Sequence, residues 1–135
     1  MKRFFSIFVL ALITVSFLTA GAPLPKTTFK LLQALPAVMN VGDEYTVAVQ
    51  VKSDQAFISA SAMPSLYYPG KGVVAVQGGD RVGSGTSAIL EVTFKAKSDT
   101  AKMEGGVAPV YVIVGARYGG GYLATQEFVF YVTVP

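Results

Sequence analysis

The sequence contains no cysteine, no histidine and no tryptophan in 135 residues. Their absence removes disulfide staples, thiolate nucleophiles, imidazole bases and Cys/His zinc sites, so most hydrolytic and redox chemistry has no side chain to carry it. Asparagine occurs once, at Asn40, and the Val41-Gly42 that follows makes no glycosylation sequon. Charge is also scarce, at 14% of residues against 52% hydrophobic. That balance is too apolar for a disordered tail, and the length suits one domain.

The one long charge-free run is Phe4 to Leu18, preceded by Lys2 and Arg3 and followed by the small residues Thr19, Ala20, Gly21 and Ala22. This is the pattern of a secretory signal, which predicts a secreted or cell-surface chain. Cleavage is expected after Ala20, because cutting after Ala22 would set the locked ring of Pro23 against the scissile bond. Left uncleaved, Phe4 to Ala22 would measure roughly 28 Å as a helix, close to the thickness of a bilayer, so membrane contact is expected only through this segment. Removing Lys2 and Arg3 cuts the formal charge from +3 to +1. The remaining cations are not clustered, Asp99 interrupting Lys95, Lys97 and Lys102, and a nucleic-acid partner is excluded.

Beyond the signal, apolar and polar residues alternate with the period of a half-buried strand. In EYTVAVQVK, Tyr45, Val47, Val49 and Val51 share one face, and Thr46, Gln50 and Lys52 share the other. AILEVTFKAK repeats the pattern with Leu90, Val92 and Phe94 inward. PVYVIVGARY and ATQEFVFYVTV flank Gly119-Gly120-Gly121 and predict a terminal hairpin whose glycines supply positive φ angles. Further strands are expected over Thr28 to Leu35, Ala56 to Met63 and Val73 to Gln77, with GGDRVGSG as a loop. No helical period appears. Seven strands in about 115 residues predict an all-β, antiparallel Ig-like β-sandwich over residues 28–135, preceded by an extended arm at 21–27 and the signal at 1–20. A jelly roll is the alternative arrangement.

VGDEYTVAVQVKSD, GSGTSAILEVTFKAKSD and the final hairpin VYVIVGARYGGGYLATQEFVFYVTV together resemble Ig-like domains of the CARDB and archaeal surface-layer-related kind, over Val41 to Pro135. Cohesin modules are more distantly similar, but ASAMPSLYYPGKGVVAV lacks their acidic Tyr-Asp-Pro step. The resemblance implies adhesion, substrate presentation or coat building without enzymatic activity.

The candidate chemistry agrees with that implication. The eight surviving carboxylates sit mostly in turns beside Gly, Ser or Thr, where they cap their own backbone. A glycosidase would need two of them facing across a cleft. Asp54 with Asp99 or Asp80 is the candidate set for calcium, but no D-x-D-x-D-G loop is present and no metal or cofactor is expected. Gly78 and Gly83 have phosphate-loop spacing, yet Ser84-Gly85 stands where Lys and Ser or Thr are required.

Aromatics carry the sharper expectation. Tyr67 and Tyr68 precede Pro69-Gly70, and Tyr118 and Tyr122 flank the triple glycine, so with Arg117 they form a candidate contact set for a protein or glycan at the cell surface. The alternative is that one ring of each pair packs the end of the core. A second candidate set, for edge-strand assembly, is Phe29, Leu31, Leu32 and Leu35 with Val129 and Tyr131, because both segments are apolar on two faces. It predicts a homopolymer in which one subunit's N-terminal segment completes the sheet of the next. The sequence therefore predicts a non-enzymatic adhesion or interaction module, with a filament or coat subunit as the alternative and a small carbohydrate-active enzyme as the remote one.

Overall fold

The computed structural model describes residues 23–65 and 72–135. The expected signal at 1–20 and the pair Tyr67 and Tyr68 lie outside the described residues.

The chain forms two antiparallel four-stranded sheets. The first has the order β1 (Thr27–Gln33), β2 (Glu44–Phe57), β6 (Gly85–Ala96), β4 (Val73–Ala75). The second has the order β5 (Asp80–Val82), β3 (Ser59–Pro64), β7 (Ala108–Arg117), β8 (Leu123–Val132). The all-β sandwich expected from alternation is present, with eight strands rather than seven. The additional strand is β5, inside the stretch read as the GGDRVGSG loop, where Ala60, Ser61 and Ala62 pair with Val82, Arg81 and Asp80. Three residues between glycines are too few to show a period of two.

Alternation places the core. Val47, Val49 and Val51 of β2 and Leu90, Val92 and Phe94 of β6 face Val110, Val112, Val114 and Ala116 of β7 and Phe128, Phe130 and Val132 of β8 in one buried cluster. Tyr45, expected on this inward face, is 40% exposed, standing second in β2 at the start of the strand. Leu35, Met39 and Val134 extend the core at that end. Thr100 is the one buried polar side chain among the described residues. Its hydroxyl donates to the Gly106 carbonyl at 2.7 Å and accepts from the Val134 N–H at 3.0 Å, so the β6–β7 connection is tied to the end of the chain.

After β1 the chain leaves the first sheet and bridges the second. Thr133 N–H donates to the Ala37 carbonyl at 2.8 Å, and Met39 N–H donates to the Thr133 carbonyl at 3.0 Å, forming a parallel bridge beyond the end of β8. Upstream of β1, the expected arm is held against β2. Lys26 N–H donates to the Asp54 carboxylate at 2.8 Å, and Gln55 Nε2 donates to the Pro23 carbonyl at 3.0 Å.

Candidate functional site

The terminal hairpin forms as its glycines predict, with φ of +83° at Gly120 and +89° at Gly121. Tyr118 and Tyr122 close it through the Tyr118 N–H and the Tyr122 carbonyl at 2.8 Å, with ring centroids 5.5 Å apart. The two rings have different fates. Tyr118 is 4% exposed and belongs to the core cluster. Its hydroxyl donates to Ser53 Oγ at 2.7 Å and accepts from Thr27 Oγ1 at 2.5 Å. Both hydrogen-bonding directions are used inside the protein, so the expected contact role of Tyr118 is corrected to a tie between β7, β2 and β1. Tyr122 is half-buried and Arg117 is exposed. Among the described residues, these two are what the loop-aromatic set leaves at the surface.

The edge-strand candidates also separate. Leu35 is buried in the core, and Phe29 and Leu31 pack against it, so these three support their own subunit. Leu32 is exposed. Val129 is 3% exposed although its parity in β8 directs it away from the core, whereas Tyr131, two residues on, is 50% exposed.

Parity along the strands shows how the two outer faces differ. On the first sheet, Glu44, Thr46, Gln50 and Lys52 stand beside Lys95, Thr93, Ile89 and Ser87, and Thr46 and Thr93 share a hydrogen bond at 2.8 Å. That face is mostly polar, and Ile89, Leu32 and Val76 are exposed apolar residues of this sheet and its β4 edge. On the second sheet the outward residues form apolar rows. Met63 pairs with Ile113, Tyr111 with Val129, and Pro109 with Tyr131. Met63 and Tyr131 are exposed, and Tyr111 and Ile113 are half-buried. Glu127 lies at the β8 end of the Met63–Ile113 row, and Arg81 and Arg117 lie farther along the face toward the hairpin. The result is an apolar and aromatic surface with charge at its fringe.

Four of the carboxylates are engaged by backbone N–H groups. Asp54 accepts from Lys26 N–H, Asp43 from Asn40 N–H at 2.9 Å, Asp80 from Glu91 N–H at 3.0 Å and Asp99 from Ala101 N–H at 3.1 Å. Among the described residues no three His, Cys, Asp or Glu side chains gather where they could hold a metal ion, and no helix is long and apolar enough to cross a membrane.

The outer face of the second sheet is partly legible in the sequence. Phe128 to Tyr131 is apolar on both faces in the sequence, and Val110-Tyr111-Val112-Ile113 carries the same double pattern. No protein-family model matches the chain, and no curated protein sequence matches it.

Proposed function

We propose that this protein is a non-enzymatic interaction module, exported to the cell surface or beyond, that holds a protein or glycan partner on the outer face of the β5–β3–β7–β8 sheet. The observation that carries this reading is the contrast between two faces of one sandwich. The first sheet turns Glu44, Lys52, Thr46 and Gln50 outward with isolated apolar residues such as Ile89 among them, while the second turns Met63, Ile113, Tyr111 and Tyr131 outward around the buried Val129. Solvent alone would favour the same dressing on both. A contiguous apolar patch on one side is the usual mark of a binding surface. The Lys2-Arg3 start, the apolar run and the small residues that follow support export.

The loop aromatics contribute Tyr122 and Arg117 at the hairpin end of this face, with Leu123 and Ser59 in the same row as Arg117. A filament built by donating the N-terminal segment has weaker support, because Thr27–Gln33 is paired with β2 of its own chain and Leu35 is in its own core.

The test is retention of the immobilised chain's partner from two probes, a glycan array and a solubilised cell-envelope fraction. Met63→Lys and Ile113→Lys should each lower retention at least tenfold with little change in melting temperature, and Ile89→Lys on the opposite face should leave it unchanged. Equal losses from both faces, or none from either, would overturn the assignment of the surface. Turnover of any retained glycan would overturn the non-enzymatic reading.

A further inference from the structure

A β-sandwich of two four-stranded sheets has four edges, and each presents backbone groups that could pair with another chain. Three of them are blunted here. β4 and β5 are three residues long. β1 is bracketed by Pro25 and Pro36, carries Lys30, and shifts register between Leu31 and Gln33. Beyond the end of β4, the Glu91 N–H on the exposed side of β6 is taken by Asp80.

β8 is different. It runs ten residues in unbroken register with β7, with no proline, no lysine and no bulge. Its free side can be identified from Thr133, whose N–H and carbonyl both bond outward to Ala37 and Met39. In a strand the direction alternates, so Leu123, Thr125, Glu127, Val129 and Tyr131 also direct both backbone groups to that side. Pro109, which has no N–H to give, is the register partner of Tyr131, as this parity requires. Among the described residues, none of the groups on that side between Leu123 and Tyr131 has a partner.

We propose that β8 pairs antiparallel with β8 of a second copy, joining two second sheets into one eight-stranded sheet about a two-fold axis at Gln126. Only odd-numbered residues can be opposed through hydrogen-bonded pairs, which leaves few registers. Centring on Glu127 would set that carboxylate opposite itself, and like charges directly opposite destabilise a sheet. Centring on Phe128 would set Leu123 opposite Thr133 of the second copy, whose backbone groups are already bonded to Ala37 and Met39. Centring on Gln126 sets Leu123 opposite Val129 and Thr125 opposite Glu127, so apolar meets apolar and a hydroxyl meets a carboxylate, each pair occurring twice as a closed two-fold contact requires. Leu123, 42% exposed in the single chain, gains a neighbour. The inference does not rest on the binding role of the outer face, although pairing would double that face.

The absence of cysteine makes the test direct. In this register Gln126 meets Gln126 of the second copy at a closely spaced pair, with Cα atoms about 4.5 Å apart, within disulfide reach. Tyr131 would lie roughly 33 Å from its counterpart, ten residues apart at the strand rise. Full-length Gln126→Cys under a mild oxidant should give a covalent dimer on a non-reducing gel, and full-length Tyr131→Cys should remain monomeric. In sedimentation, Val129→Pro removes an outward N–H and should weaken association of the full chain at least tenfold. Should that variant fail to fold, Leu123→Lys should weaken association to the same extent by placing a charge against Val129. Association through the N-terminal segment would be common to all variants and insensitive to residues 123 and 129. Equal cross-linking at 126 and 131, monomeric behaviour at millimolar concentration, or a dimer indifferent to both edge substitutions would overturn the proposal.

Discussion

Tyr118 and Ser53 lie 65 positions apart in sequence and 2.7 Å apart in the fold, the phenol of one donating to the hydroxyl of the other. Thr27 donates to the same phenol, so three strands meet at one partly buried oxygen. Tyr118→Phe keeps the packing and leaves the two hydroxyls without that partner, which should cost about 1–2 kcal/mol. Tyr118→Ala also empties a core site and should cost about 3–5 kcal/mol. Urea unfolding of both variants gives the comparison, and a neutral Tyr118→Phe would remove the hydroxyl from the account of stability.

Thr100 makes a similar tie at the opposite end. Thr100→Val preserves shape but strands the buried Val134 N–H and the Gly106 carbonyl, at an expected cost of about 1–3 kcal/mol. Thr100→Ser, which keeps the hydroxyl, should lose less. The two midpoints measured side by side check the order, and a reversed order would assign the effect to the methyl group.

Gly79 admits no side chain. Its φ is +134°, and a Cβ there would fall 2.5 Å from the Ala62 carbonyl oxygen, at the edge where β5 joins β3. Gly79→Ala should displace β5, with about 1–3 kcal/mol of backbone strain added to the clash. Hydrogen exchange is expected to quicken along Asp80 to Val82 while β7 and β8 keep their protection.

Phe128 and Tyr131 share a strand and point to opposite sides of it. Phe128→Ala should cost about 3–5 kcal/mol, as for any large core truncation. Tyr131→Ala should fall within about 0.5 kcal/mol, the range of open surface sites. Thermal or urea unfolding separates them, and comparable losses would mean that the outer face is covered.

Much of the fold could be read from alternation alone. β2, β6, β7 and β8 are marked by their inward valines and phenylalanines, because a strand buried on one face must repeat every second residue. β5 carries no such signal, since its pairing depends on β3 lying alongside and not on any pattern within Asp80-Arg81-Val82. β2 continues to Phe57, past the alternating segment that closes at Lys52, and this continuation does not follow the in-register pairing with β6. The site was less legible for a related reason. A tyrosine beside a glycine turn looks the same whether its ring packs inward or stands in water, and what separates Tyr118 from Tyr122 is a pair of hydroxyls on strands far away in sequence.

The order in which the strands are laid down has its own consequence. From β2 to β7 the chain changes sheet at every connection, so neither layer is a continuous stretch of polypeptide. No single cut or local melting event can peel one layer away and leave the other standing, and heat should dissolve both in a single step. Apart from the neighbouring pairs β1–β2 and β7–β8, each strand must wait for one that is not its neighbour in sequence, which places refolding on the order of milliseconds to seconds, the pace of two-layered β proteins and not of helical bundles.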